Sequence, residues 1–210
     1  SRSGHKDASE PYFLYAASNF GSITSLLLYP TVVEPLVGIK SQTAGWSAGY
    51  GLLAVGIMLC GLLLARFGLQ TQSSGKTAVV AATPWSTKLL WLVFAFLPAG
   101  LLSAWTNHIT TDIAAAPFLW LPPLILYLVS FIVAFRQKLF ISEKWMVLAL
   151  LVSLPFAYAG NTDLVHSFMG VTAFGGALSF FFAACLCHRR MYELRPDSSN
   201  LTEFYFIMSL

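Results

Sequence analysis

Residues 89–108 read LLWLVFAFLPAGLLSAWTNH and contain no Asp, Glu, Lys or Arg. An α-helix rises about 1.5 Å per residue, so about 20 predominantly apolar residues are needed to cross the hydrocarbon core of a bilayer. This stretch has both the length and the apolar character. It therefore predicts a transmembrane helix, and similar stretches recur along the chain.

The composition of the whole chain agrees with that prediction. Hydrophobic residues make up 57% of the 210 residues and charged residues only 10%, and the mean hydropathy is +0.70. Soluble domains carry roughly 25% charged residues, so this chain has too few to cover a surface that faces water. The predicted fold class is all-α, a polytopic transmembrane helix bundle, and its first expected partner is the lipid bilayer.

The length criterion divides the chain into spans. Six complete spans are predicted, at about 11–38, 44–64, 89–108, 114–135, 145–160 and 164–187. Residues 201–210 (LTEFYFIMSL) are too few to cross a bilayer as a helix. They are predicted to be the start of a seventh, truncated span. Residues 1–210 are expected to form a single transmembrane domain.

The basic residues are distributed unevenly between the two sides of these spans. Eleven of the 12 Lys and Arg residues lie in the N-terminus, in the linker after the second span, in the loop after the fourth and in the tail after the sixth. The alternate loops contain only Lys40. Cytoplasmic loops are enriched in Lys and Arg, so the N-terminus is predicted to be cytoplasmic. The net charge of +3 is then a topology signal, and no nucleic-acid partner is expected.

Polar residues gather at the opposite, outer ends of the spans. Ionisable groups at membrane depth are costly and often mark pathways, and an acidic and aromatic environment suits ammonium ligands. For each residue alone, a solvated loop is the simpler interpretation. The Asp112–His108 pair is the first choice for mutation. The candidate outer polar cluster comprises Asp112, His108, Asn107, Glu34, Asp163 and His166.

Metal and cofactor sites are not predicted. The spacing of His108, Asp112, Asp163 and His166 matches no metal motif. Cys60, Cys185 and Cys187 lie in or beside apolar runs, without the spacing of a disulfide framework or a CxxC site. No cofactor is therefore expected in this chain.

Glycines and prolines predict local features of the helices. Gly45 and Gly49 have GxxxG spacing, and the sixth span contains Gly175 and Gly176. Small residues let helix backbones approach closely in a membrane, so both sets are interpreted as packing sites. Prolines lie toward the outer half, among them Pro30. They indicate either helix kinks or broken helices that line a cavity.

Two longer motifs carry a family resemblance. Residues 11–22 read PYFLYAASNFGS, and residues 109–120 read ITTDIAAAPFLW. Both resemble the membrane region of the bacterial fused transporter-like/spermidine synthase-like integral membrane proteins. The resemblance implies a multi-pass region in the bacterial inner membrane. It also implies a cytoplasmic aminopropyltransferase-like domain, with a Rossmann-like sheet that binds decarboxylated S-adenosylmethionine or a related compound.

That catalytic domain is expected to lie outside this chain. The 210 residues contain no glycine-rich nucleotide-binding turn after a strand, and no catalytic residue is predicted in them. The leading hypothesis is a membrane domain that anchors or serves a missing C-terminal aminopropyltransferase-like domain. The alternative is a transporter or receptor for a small cationic solute such as a polyamine.

Overall fold

The computed structural model describes residues 13–66, 83–113, 118–136, 139–159, 169–196 and 200–209. Within these ranges every element of regular secondary structure is helical, so the predicted all-α class is confirmed there. The described residues divide into two compact units. One lies within residues 25–80, and the other comprises the remaining described residues.

The first helical segment contains a widened turn at a proline. Helix α1 (Phe13–Leu28) continues into a π-helical turn (Tyr29–Val33) and a short α2 (Glu34–Leu36). Pro30 has no backbone N–H and its ring crowds the preceding turn, which favours the wider turn. The N–H of Glu34 accordingly donates to the carbonyl of Tyr29, five residues earlier. Extended backbone at Val37 ends the segment, and α3 (Ile39–Arg66) follows.

The unit outside residues 25–80, which we call the second unit, contains five helices besides residues 13–24 of α1. They are α4 (Trp85–His108), α5 (Leu121–Ala134), α6 (Glu143–Ala159), α7 (Met169–Glu193) and α8 (Leu201–Met208), and a second π-helical turn (Ile109–Ile113) extends α4. Helix α7 packs against α4, α5 and α6, and α8 packs against α4. Helix α7 is thus the central helix of this unit.

Contacts along the helices show their directions. Helices α4 and α6 run antiparallel to α7. For α6 the contacting pairs are Glu143–Arg190 and Ser153–Ser179. For α4 they are Trp91–Leu194 and Trp105–Phe180. Helix α5 runs parallel to α7, as seen from the pairs Ser130–His188 and Phe135–Tyr192. Helix α8 runs parallel to α4, as seen from the pairs Thr83–Asn200 and Trp91–Phe204. The five helices therefore alternate in direction in chain order.

This alternation brings one set of helix ends together. The starts of α4, α6 and α8 and the ends of α5 and α7 lie at the same end of the unit, which we call the basic end. Its described basic residues are Lys88, Arg136, Lys144, Arg189, Arg190 and Arg195. The buried core lies there too, and it comprises Trp91, Phe131, Ala134, Phe135, Met191, Tyr192 and Phe204.

Three helices in the described part of the chain are long and apolar enough to cross a membrane: Ile39–Leu63, Trp85–Thr111 and Gly170–Glu193. The predicted number of six complete spans is not supported. Helices α1, α5 and α6 have 16, 14 and 17 residues. Large apolar side chains on the long helices remain exposed, among them Leu52 at 74% and Phe96 at 70%, as expected of surfaces that face hydrocarbon.

Helix α5 begins later than the sequence predicted. The predicted fourth span starts at residue 114, whereas residues 118–120 form a turn and α5 starts at Leu121. The turn contains Phe118 with a φ of 72°, a left-handed conformation that a helix cannot continue through. Pro122 and Pro123 then occupy the first helical turn, where their missing N–H groups leave no helical hydrogen bond unmade.

The predicted packing role of the glycines is found in α7. A Cβ on Gly175 would lie 2.6 Å from the Cβ of Phe156 and 2.9 Å from the backbone N of Ala157, and one on Gly176 would lie 3.0 Å from Nε1 of Trp105. These two glycines let α6 and α4 approach α7 closely. At Gly45 and Gly49, by contrast, a Cβ would meet no described atom within 4 Å.

Candidate functional site

The described members of the predicted outer polar cluster are exposed. Glu34 begins α2 in one unit, and Asn107 and His108 end α4 in the other. Only the backbone of Asp112 is described, within the second π-helical turn. Asp163 and His166 lie outside the described residues. The candidate outer polar cluster therefore stays a prediction.

Two threonine hydroxyls of the second π-helical turn donate to backbone carbonyls four residues earlier. Thr110 Oγ1 donates to the carbonyl of Thr106 at 2.9 Å, and Thr111 Oγ1 donates to that of Asn107 at 2.6 Å. A π-helical turn breaks the regular hydrogen-bond ladder, and such turns are frequent at functional sites. Across the described residues, no group of three or more His, Cys, Asp and Glu side chains could hold a metal ion.

Two buried polar side chains in the second unit are joined by a hydrogen bond that was not predicted from the sequence. His188 on α7 is fully buried, and its Nδ1 lies 2.9 Å from Oγ of Ser130 on α5. Ser130 Oγ also lies 2.6 Å from the carbonyl of Tyr127, to which it donates. Because a serine hydroxyl has one proton, Ser130 must accept from His188. Nδ1 of His188 therefore carries the proton.

The other ring nitrogen of His188 lies among aromatic rings. Its Nε2 is buried and has no hydrogen-bond partner in the described part of the chain. The imidazole stacks on Phe131 with a centroid distance of 3.6 Å, and the ring of Tyr127 meets it edge-on at 5.2 Å. A histidine within a predicted span is a candidate functional residue by type alone. His188 directly follows the predicted sixth span, so that rule identifies neither His188 nor its partner 58 residues earlier.

Ion pairs and carbonyl contacts join the helices at the basic end. Arg190 pairs with Glu143 at 3.2 Å and with Glu193 at 2.8 Å, which links α6 to α7. Arg189 donates to the carbonyls of Ala134 at 3.3 Å and Arg136 at 2.9 Å. A cation at the last carbonyls of a helix is favourable, so Arg189 stabilises the end of α5.

Helix α8 is attached to α4 at the same end. Lys88 and Glu203 form an ion pair, and Phe204 is buried edge-on against Trp91 at 5.0 Å between centroids. Trp91 in turn donates from Nε1 to the carbonyl of Leu194 at 2.9 Å. One indole thus contacts both α8 and the end of α7.

Each of the two units contains a cavity. One, of about 330 Å³, lies between α6 and α7 and is lined almost entirely by apolar side chains such as Phe156 and Phe174. The other, of about 530 Å³, lies within residues 25–49, and Tyr29, Gln42 and Trp46 are among its lining residues. In this second cavity, which we call the aromatic groove, Tyr29 Oη donates to Oε1 of Gln42 at 3.1 Å.

Comparisons with protein-family models, curated proteins and solved structures found no match to this chain. The resemblance carried by residues 11–22 and 109–120 stays a prediction.

Proposed function

We propose that this chain is the integral membrane domain of a spermidine synthase-like fusion protein in the bacterial inner membrane. In this proposal it crosses the membrane several times, with a cytoplasmic N-terminus. It anchors or serves a cytoplasmic aminopropyltransferase-like domain that is not part of these 210 residues. No catalytic residue or cofactor is assigned to the chain itself.

One observation carries the proposal: helices α4 to α8 alternate in direction, and their basic residues lie at one end. In a bilayer, that arrangement fits the excess of Lys and Arg in cytoplasmic loops. The exposed apolar faces of α3 and α4 support a lipid environment. The two motifs quoted above support the choice of family.

The topology can be tested with single cysteines on the two predicted sides of the membrane. In a background with Cys60, Cys185 and Cys187 replaced by Ala, Ser142→Cys tests the predicted cytoplasmic side and Lys40→Cys the predicted outer side. A membrane-impermeant maleimide is expected to label Lys40→Cys in intact spheroplasts, and Ser142→Cys only after permeabilisation. Equal labelling of both sites before permeabilisation would rule out the proposed orientation.

The anchoring role requires a separate experiment on the complete gene product. Washed membranes would be assayed for transfer of an aminopropyl group from decarboxylated S-adenosylmethionine to a diamine. We expect activity that stays with the membranes after alkaline carbonate extraction. Activity released by that wash, or no activity at all, would contradict the anchoring role.

A second candidate function is a transporter or receptor for a small cationic solute, and the aromatic groove favours it. Aromatic faces attract ammonium groups, and Tyr29 and Trp46 line this groove together with the amide of Gln42. Uptake of a labelled polyamine into proteoliposomes is expected to fall in Trp46→Ala and Asp112→Asn. Trp85→Ala, an exposed tryptophan at the basic end, serves as the control. Uptake that neither variant reduces would count against this function.

A further inference from the structure

The charged side chains where the loop between α5 and α6 meets the end of α7 are only partly paired with opposite charges. Glu193 pairs with both Arg189 and Arg190, and Glu143 also pairs with Arg190. These two carboxylates offset two arginines. Arg136 and Lys144 form no ion pair with a carboxylate within the described residues, and both are exposed.

The two unbalanced cations are held close to the end of α7. Arg189 donates to the carbonyl of Arg136 at 2.9 Å. The next residue, Arg190, binds Glu143, which directly precedes Lys144 in the first turn of α6. Consecutive residues of α7 therefore fix both ends of the loop, and the excess charge of two among the described residues is localised there.

Large apolar side chains are exposed beside these cations. Phe140 is 75% exposed and Trp145 is 65% exposed, and the guanidinium carbon of Arg136 lies 4.1 Å from the centroid of the Phe140 ring. Exposed aromatic rings beside basic residues are typical of the membrane–water interface. A purely aqueous acidic partner, such as an acidic peptide, would leave these rings without an apolar environment.

We propose that Arg136 and Lys144, with Phe140 and Trp145 beside them, form a binding site for the headgroup of an anionic phospholipid. The phosphate lies against the two cations, and the acyl chains extend along the exposed apolar side chains of the adjacent helices. The headgroup supplies the negative charge that Glu143 and Glu193 do not. This site rests on the proposed membrane location and adds a lipid preference to it.

The test measures lipid binding to the 210-residue chain in detergent micelles by native mass spectrometry. Micelles are titrated with phosphatidylglycerol or phosphatidylcholine, and the wild type is expected to bind phosphatidylglycerol more tightly. The double variant Arg136→Gln/Lys144→Gln should weaken phosphatidylglycerol binding by roughly fivefold for each charge removed. Its phosphatidylcholine binding should be unchanged. Lys40→Gln, which removes a basic residue from the start of α3, is the control and should bind like wild type.

A third variant separates charge from structural damage. Glu143→Gln removes a negative charge while Arg190 keeps Glu193 as a partner, so phosphatidylglycerol binding should become tighter. Equal affinity for the two lipids, or a double variant that binds phosphatidylglycerol like wild type, would overturn the proposal.

Soluble competitors identify the source of the phosphate. Inorganic phosphate or polyglutamate is expected to leave the bound phosphatidylglycerol in place. Complete displacement by inorganic phosphate would assign the site to the free ion, and displacement by polyglutamate would assign it to an acidic protein. Alkaline carbonate extraction of the membranes from which the chain is purified, before detergent is added, shows whether the chain is integral to the membrane. An integral chain without lipid preference refutes only this site, whereas a carbonate-soluble chain refutes the proposed function.

Discussion

His188 is fully buried, yet only one of its two ring nitrogens has a hydrogen-bond partner among the described residues. The proton on Nδ1 is accepted by Ser130, and Nε2 is left as an acceptor between aromatic rings. Removing only the acceptor of a buried hydrogen bond costs more than removing both partners, because the donor stays buried and its desolvation is not compensated. The hydroxyl of Ser130 is therefore expected to contribute to the free energy of unfolding as the acceptor for His188.

Ser130→Ala should destabilise the folded chain by about 1–3 kcal/mol, because the Nδ1–H of His188 loses its acceptor. The measurement is the free energy of unfolding in mixed micelles of a mild detergent and SDS. Ser179→Ala is the matched control. Ser179 Oγ donates to Ser153 Oγ, and Ser153 still donates to the carbonyl of Leu150 when Ser179 is replaced.

Ser179→Ala thus removes a buried hydroxyl without leaving a donor unpaired. Its effect should stay below about 1 kcal/mol. Equal losses in the two variants would mean that the bond to His188 has no special energetic role.

At the scale of the helices, hydropathy predicted the apolar middle of each element better than its ends. The predicted sixth span stops at residue 187, but α7 continues to Glu193. Its last turn is charged, and Glu193 pairs with Arg189 and Arg190 at helical spacing. Such pairs stabilise a helix end, and a hydropathy window counts them only as polar residues.

Helix α4 shows the same effect at its start. Its predicted apolar run begins at residue 89, whereas the helix begins at Trp85, directly after Pro84. Lys88 lies in the first turn and pairs with Glu203. The extra turn is thus stabilised by a residue 115 positions away, which a local pattern cannot include.

Gly175→Ala should destabilise the α6–α7 packing by about 1–3 kcal/mol, the usual cost of overpacking. The new Cβ would meet the backbone of α6, which cannot move aside as a side chain can. Gly176→Ala should cost less, since it meets the side chain of Trp105. SDS unfolding of both variants measures the difference.

Gly170→Ala is the control for these two variants, because a Cβ there would meet no described atom within 4 Å. Alanine is the better helix former by up to about 1 kcal/mol, so this variant should equal or exceed wild-type stability. A Gly175→Ala protein as stable as Gly170→Ala would show that the two helix backbones are not in close contact.

The docking of α8 depends on one aromatic side chain. Phe204 is completely buried against Trp91, whereas Phe206 on the same helix is 65% exposed. Phe204→Ala should weaken the docking by about 3–5 kcal/mol and speed amide hydrogen exchange in residues 201–208. Phe206→Ala should leave that exchange near the wild-type rate. Equal exchange in the two variants would contradict the docked position of α8.

At the scale of the whole molecule, composition was sufficient for the helical class but not for the arrangement. The low charge content predicted helices in lipid, and the described chain is helical throughout its regular elements. Which helices touch could not be predicted, because lipid provides no hydrophobic drive and the pairing depends on local shape. Gly175 against Phe156, and His188 against Ser130, are specific contacts between residues far apart in the sequence.

The candidate site was predictable only in its residue types. The sequence indicated polar groups at the outer helix ends, and the described ones, Glu34, Asn107 and His108, are exposed. The buried pair Ser130–His188 was not predicted, since neither residue has a recognisable neighbour in its own segment. Partners that are joined only by the packing of two helices leave no local signal.

The alternating directions of α4 to α8 underlie both the proposed topology and the grouping of basic residues at one end. A disulfide across α6 and α7 tests that alternation directly. Oγ of Ser153 and Oγ of Ser179 lie 2.9 Å apart, so cysteines at these positions are close enough to bond. In a background without the three native cysteines, Ser153→Cys/Ser179→Cys should cross-link on mild oxidation, as seen by loss of maleimide labelling.

The matched control pairs Ser153→Cys with Ala173→Cys, six residues earlier on α7. That position is displaced by about 9 Å along the helix and should not cross-link. If the control pair oxidises as readily as the Ser153–Ser179 pair, the antiparallel register of α6 and α7 is wrong. The grouping of Glu143 with Arg190 would then be wrong as well, and with it the placement of Lys144 beside the end of α7.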